Sequence, residues 1–246
     1  MVQDTNSLLD SEREFHDRRY LDGDSRDSQN KYYWAIDSSS CRFSDLVTEL
    51  SAGSDVLEYG CGAASRAGEL ASLGKSFCGI DISEVAIKRL QQEHKVPNVS
   101  FEVMDAMNMG FPSNHFDLVY GSGIIHHLDI EMCSQELARV LRPDGSAVFW
   151  EPLGYNPIIN AYRWLTPNSR TPDEHPLVGR DFAVIKNYFR KVEIEFYGLT
   201  SLAAVPFRNF SFGSSFRDTL VRGDEFLLKV PGLRNLAWYS IIRCTK

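Results

Sequence analysis

With 246 residues, 43% of them hydrophobic and 12% aromatic, the chain can bury one sizeable core, and a single globular domain is the expectation. A net charge of −7 argues against a generic nucleic-acid surface built on clustered Lys and Arg, leaving RNA open only through a local basic patch. Five cysteines, at positions 41, 61, 78, 133 and 244, are odd in number and include no Cys-x-x-Cys pair, which speaks for reduced thiols in a cytoplasmic protein and against zinc or a disulfide framework.

The opening Met1-Val-Gln-Asp-Thr-Asn6 is polar, and no run approaches the ~18 apolar residues of a spanning helix, so no leader and no transmembrane segment are expected. Helices are expected over 8–20, 32–36 and 42–50, with a charged break at 22–28. Phe15, His16, Tyr20, Tyr32, Tyr33 and Trp34 give this leading segment its aromatic character. They can wall a ligand or simply pack the segment onto the core.

Val56 and Leu57 then begin a short apolar strand that Gly60 and Gly62 break, and 63–73 continues with helical spacing. A second apolar run, 77–81, ends in Asp81, 19 residues after Gly62. That is about the separation at which a carboxylate on the second strand reaches a ribose bound over the first turn. Glycine belongs at such a turn because the backbone takes conformations closed to other residues and lets a ligand approach the main chain. A lone Gly-x-Gly is also an ordinary tight turn. The dinucleotide fingerprint needs a third glycine where Ser65 stands, so NAD fits poorly.

Beyond Asp81, 83–94 reads as a helix capped by Ser83, and 98–103 as a strand alternating Val99, Phe101 and Val103. Strand 116–122 follows, then a helix completed by 135–141, the turn Arg142-Pro-Asp-Gly145 and a fifth strand, 146–151. Alternating strands and helices at this density imply a doubly wound parallel sheet. Helix 181–189 and strands 191–199 and 236–244 complete the reading.

Four stretches together resemble the class I S-adenosylmethionine-dependent methyltransferases of the small-molecule type. They are Glu58-Tyr-Gly60-Cys-Gly62-Ala-Ala64, in which Ala64 replaces a third glycine, Met104-Asp105-Ala106, Phe116-Asp-Leu-Val119 with His126-His127-Leu128 after it, and Leu141-Arg-Pro-Asp-Gly145. The likeness covers about 56–151. It implies a doubly wound, mostly parallel seven-stranded sheet with helices on both faces and an antiparallel last strand. An N-terminal helical lid over 1–50 and a core over 51–246, with cap insertions at about 152–179 and 203–234, complete the implied architecture. It further implies S-adenosylmethionine as methyl donor, leaving S-adenosylhomocysteine, held by Glu58, Gly60, Cys61, Gly62, Asp81, Ile82, Asp105, Ala106, Gly121 and Ser122.

Methyl transfer from a sulfonium needs no metal, and most of its acceleration comes from holding the acceptor in line, a contribution of up to ~7 to 11 kcal/mol. A hydroxyl acceptor also needs a base, and the unperturbed pKa of histidine suits neutral pH. His126 and His127 after the fourth strand, with Glu151 ending the fifth, are the catalytic candidates; a packing or capping role for either histidine stays open. Glu174, His175, Asp173 and His16 are reserves. The aromatic composition of the two inserted segments, with Phe207, Phe210, Phe212, Phe216 and Phe226 in the second, suits a small, partly apolar acceptor. Tyr20, Tyr32, Tyr33, Asn156, Arg163 and His175 are the residues expected to touch it, with oxygen as the methylated atom. Methylation of RNA or protein, and a cofactor-binding module without turnover, are the rivals; a monomer or homodimer is expected.

Overall fold

The register of seven strands organises the molecule, in the order β3-β2-β1-β4-β5-β7-β6. In this computed structural model, residues 13, 14, 17, 31–166 and 174–246 are described. The strands are β1 Asp55–Tyr59, β2 Ser76–Asp81, β3 Val99–Val103, β4 Phe116–Ser122, β5 Leu141–Pro152, β6 Lys191–Tyr197 and β7 Tyr239–Thr245. The first five pair in parallel, and β7 lies antiparallel to both β5 and β6. The chain therefore runs outward from β1 to β3, returns to β4 on the other side of β1, and leaves a crevice between the carboxyl ends of β1 and β4, where open sheets of this kind place ligands.

Both faces of the sheet are covered, which is why β1, β2 and β4 read as nearly continuous apolar runs. On one face Leu57, Tyr59, Ile80, Val119, Phe149 and Ile242 pack with α4 (Ile130–Val140) and α6 (Gly179–Lys186). On the other, Val56, Phe77, Leu118, Tyr120 and Val148 meet Phe43, Leu46 and Val47 of α1 (Asp37–Ser51) and Ile87 and Leu90 of α3 (Glu84–Glu93). Helix α3 starts where the sequence placed its cap, with the Ser83 hydroxyl accepting from the Ala86 amide at 3.1 Å. Helix α1 buries an apolar stripe on the sheet, so the end of the expected lid belongs to the covering layer. Most of 1–30, including Phe15, His16 and Tyr20, lies outside the described residues, as does Asp173.

Two local expectations change. The helical run over 63–73 shrinks to the single turn α2, Ala67–Leu70, because the chain must reverse at Gly74, where a Cβ would stand 2.8 Å from the Ser54 carbonyl oxygen, to enter β2. The turn at 142–145 is absorbed into β5 as a bulge: Phe116 pairs with Leu141 but Leu118 with Ser146, and Asp144 takes a left-handed φ of 64°. The bulge lets Arg142 reach back to Asp55 Oδ2 at 2.8 Å and Asp117 Oδ2 at 2.6 Å, tying three strands at the end remote from the crevice.

The inserted segments hold α5 (Pro157–Leu165) in the first, and in the second α7 (Gly213–Leu227) and α8 (Pro231–Arg234), preceded by a 3-10 helix, Ser201–Phe207. They close a third cluster in which Ala35, Ile36, Ile159, Leu202, Val205, Trp238 and Tyr239 are buried.

Candidate active site

The crevice has two halves built from different materials. On the β1 side, the glycine turn is a backbone structure. Gly60 and Gly62 adopt φ of +72° and +57°, and the amides of Gly60 and Cys61 both donate to the Ile80 carbonyl at 2.9 Å, fastening the turn to β2. Gly60 also sits beneath the Ile124 side chain, whose Cδ1 lies 2.1 Å from where a Cβ would stand. Asp81 is drawn into the same turn: its Oδ2 accepts from the Gly62 amide at 2.8 Å and its Oδ1 from the Ser83 amide at 2.9 Å. Each of those oxygens keeps a second lone pair for a ligand hydroxyl. The chain after β3 lies alongside, since the Met104 amide donates to the Asp81 carbonyl at 3.0 Å. Asp105 Oδ1 accepts from the Met107 amide at 2.8 Å, and the Tyr59 hydroxyl holds the Ala106 carbonyl at 2.8 Å.

Glu58 lies under the turn, buried, with the Ser65 hydroxyl donating to its Oε2. Burial pushes its pKa up to about 7, against the opposing pull of Ser65, Tyr120 and Arg66. The buried Tyr120 hydroxyl, beside the same carboxyl, finds no partner of good hydrogen-bond geometry; burial first, and Glu58 second, push its pKa well above the usual phenol value. Cys61 contributes its backbone, since burial raises its thiol pKa and keeps the sulfur protonated.

The β4–β5 side is made of side chains. Gly121 allows β4 to approach β1: a Cβ there would meet the Tyr59 carbonyl at 2.6 Å. Ser122 follows, exposed at the strand end, and the chain turns into a short 3-10 helix, Ile125–His127. Glu151, wholly buried near the end of β5, governs that turn. Its Oε1 accepts from the amides of Ile124 at 2.8 Å and Ile125 at 3.0 Å, and its Oε2 lies 2.7 Å from His126 Nδ1. An oxygen that accepts fixes the proton on Nδ1 and leaves Nε2 with its lone pair. His126 Nε2 has no hydrogen-bond partner among the described residues. The His127 ring lies against it, with centroids 4.1 Å apart.

The expected acceptor contacts divide differently. Asn156 is buried and committed to the scaffold: Oδ1 caps α5 through the amides of Ile158 and Ile159, and Nδ2 donates to the carbonyls of Gly198 and Leu236. Tyr32 and Tyr33 join an aromatic cluster, Tyr32 packing on Tyr162 and Trp238, and Tyr33 on Trp150, Trp238 and Tyr239. Arg163 donates to the Leu153 carbonyl at 3.1 Å. His175 comes close to the dyad through its backbone, its amide donating to the His126 carbonyl at 2.8 Å, while its ring lies 3.3 Å from Asp181. One functional carboxylate escaped the sequence reading. Buried Asp224 accepts from the amides of Leu199, Thr200 and Ser201 and from the Thr200 hydroxyl, pinning the second insertion to the end of β6. Nothing in its local sequence separates it from an exposed helix residue.

A mostly parallel sheet whose strand order reverses between β1 and β4, with an antiparallel last strand inserted beside β5, is the sheet of the class I S-adenosylmethionine-dependent methyltransferases, and this chain carries a methyltransferase domain over 57–149. Residues 57–149 match the family described as Methyltransferase domain. Among known proteins, methyltransferase GfsG of Streptomyces halstedii is 37% identical over 103 residues, 39% of this chain and 37% of its own. The 27-O-demethylrifamycin SV methyltransferase of Amycolatopsis mediterranei is 31% identical over 127 residues, 46% of this chain and 47% of its own. The match thus spans less than half the length of either relative. In structure, the chain is similar to a phosphoethanolamine N-methyltransferase of Haemonchus contortus, with a TM-score of 0.63 at 20% identity, over 95% of this chain and 60% of the other. At that identity the likeness speaks for the fold.

The residues present fit an adenosyl methyl donor. Gly60 and Gly62 hold the turn after β1 in left-handed conformations, and Asp81 offers paired acceptor oxygens beside it. Among the described residues no cluster of His, Cys, Asp and Glu has the arrangement of a metal site.

Proposed function

We propose that this chain transfers a methyl group from S-adenosylmethionine to an oxygen of a small, partly apolar organic acceptor, with His126 as base and Glu151 as its positioning residue. The buried contact of His126 Nδ1 with Glu151 Oε2 at 2.7 Å, at the end of β5 that borders the crevice, carries the reading. The rifamycin relative, named for methylating 27-O-demethylrifamycin SV, agrees with oxygen chemistry on a small molecule.

The donor supplies an electrophilic methyl on sulfur. Gly60, Cys61 and Gly62 would hold its chain end against the main chain, Asp81 would accept from its ribose, and Asp105 with the Ala106 region would border its base. His126 Nε2 takes the proton from the acceptor hydroxyl as the methyl leaves sulfur for that oxygen, the C–S electron pair staying on sulfur as the neutral thioether, and Glu151 stabilises the imidazolium that results. Through the amides of Ile124 and Ile125 the same carboxylate holds the turn that carries the base, so orientation and proton transfer rest on one side chain. Gly121 and Ser122 line the passage between the two halves.

The test uses labelled S-adenosylmethionine with paired acceptors, one carrying a free hydroxyl and the other the same molecule already methylated there. Label in the first and not the second is the expected result. Transfer to an amine or carbon in both would overturn the oxygen reading. Calorimetry with S-adenosylhomocysteine and with NAD decides the donor separately, and heat with NAD alone would end the proposal.

A further inference from the structure

Segment 203–234 leaves more apolar surface in water than its packing requires. Phe207, Phe210 and Phe212 lie with ring centroids 5.5 to 6.2 Å apart, yet Phe210 stays 59% exposed and Phe212 50%. At the other end of α7, Phe226 is 71% exposed, followed by exposed Leu227 and Val230. Phe212 and Phe226 stand 14 residues apart, about 21 Å along the axis and within about 40° around it, so the two apolar ends share one side of the helix. Thr219 and Arg222 lie between them on that side. From within, Asp224 fixes the helix to the end of β6, so this outer side is held in place.

The charges beside it are left open. Elsewhere many basic side chains are paired, Arg42 with Glu195, Arg66 with Glu69, Lys88 with Glu84, Arg89 with Glu93 and Arg139 with Glu136. Arg208, Arg222, Lys229 and Arg234 are exposed and meet no carboxylate among the described residues. Lys229 instead lies 5.3 Å over the Phe226 ring. The chain as a whole carries −7. Four exposed cations without a carboxylate partner, in the same segment as the exposed phenylalanines, complement a surface that is apolar and negatively charged at once.

We propose that this face docks on an anionic lipid bilayer. Phe210, Phe212 and Phe226 enter the boundary between headgroups and acyl chains, and Arg208, Arg222, Lys229 and Arg234 meet lipid phosphates. Exposed Asp218 and Glu225 stand beside Arg222, one turn before and after it, and about 80° to 100° around the axis from Phe226, so the helix lies along the interface with that edge turned to water. No described helix is long and apolar enough to cross a membrane. A second copy of the chain would cover the phenylalanines equally well but would bring the same cations face to face.

The experiment is co-sedimentation of the whole chain with vesicles of phosphatidylcholine alone and with vesicles containing a third phosphatidylserine. Wild type is expected to pellet with the anionic vesicles and to leave them as salt rises. Replacing the two most exposed rings, Phe210→Ser and Phe226→Ser, should abolish pelleting, and Arg222→Gln with Lys229→Gln should weaken it about 30-fold. Because these side chains are exposed, circular dichroism and thermal unfolding should not change, which separates lost docking from lost folding. Wild type remaining in the supernatant of both vesicles would overturn the proposal. So would sedimentation equilibrium revealing a dimer that the phenylalanine variant dissolves. The readout involves no methyl transfer, so it stands or falls apart from the catalytic reading.

Discussion

The two halves of the crevice solve one problem with different materials. Around Gly60 and Asp81 the binding surface is backbone, produced by two residues in left-handed conformations and a carboxylate that accepts from main-chain amides. Around His126 and Glu151 it is side chain, assembled from residues 25 positions apart, one in the 3-10 helix that follows β4 and the other near the end of the neighbouring β5. A backbone surface recognises what every reaction of the class shares. A side-chain surface can be changed residue by residue, which suits the part of a site that meets differing acceptors.

That contrast breaks most readily at the dyad. Glu151→Gln keeps an oxygen for the amides of Ile124 and Ile125 but can set an NH2 against His126 Nδ1, which moves the ring proton to Nε2 and removes the base. Turnover should fall by about 10²- to 10⁴-fold while S-adenosylhomocysteine binding, read by calorimetry, is unchanged. Full activity would show that the side-chain half holds no base.

The backbone half has its own weak point in Glu58. Its folded pKa of about 7 exceeds the ordinary 4.5, so between those values the folded chain keeps a proton that the unfolded chain gives up. Stability therefore declines as pH rises from about 4.5 to 7 and levels off above, a loss of at most ~3 kcal/mol. Glu58→Gln should remove this slope in melting temperature measured against pH on the ligand-free protein; parallel profiles for variant and wild type would contradict a buried, protonated Glu58.

Asp81→Ala tests the same half through its ligand. S-adenosylhomocysteine should bind more weakly by ~1.5 to 3 kcal/mol, the range for a lost hydrogen bond to a charged group. Unchanged affinity would take Asp81 out of the site. Smallest is Asn156→Ala, which removes a helix cap and two donors from the scaffold. About 1 to 2 kcal/mol of stability should be lost in urea unfolding, with the KM for acceptor unmoved at temperatures where the variant is folded. A raised KM with full stability would return Asn156 to the acceptor pocket.

Much of this was legible in the sequence, for a physical reason that differs from element to element. Gly60, Gly62 and Asp81 were readable because a left-handed turn and a strand-end carboxylate are local requirements, met within about 20 residues. The parallel sheet followed from strands and helices that alternate along the chain, since a parallel neighbour needs a crossover and not a hairpin. Over 63–73 the helical spacing misled, because periodicity records which residues are apolar and not where the chain must turn to meet the next strand. Asn156 looked like a ligand group for a similar reason: residue type shows what a side chain can bond, and only its neighbours show that all those bonds are already made.

By itself, then, the sequence determined the strand succession, the glycine cradle and the carboxylate that closes it, since each is written in adjacent or periodically spaced residues. Tertiary structure alone decided that Glu151 reaches His126 and the two amides before it, and that Asp224 pins the second insertion to β6. Those facts depend on strand register, crossover and helix rotation, which place residues far apart in the chain within a few ångströms, and no local pattern encodes such distances.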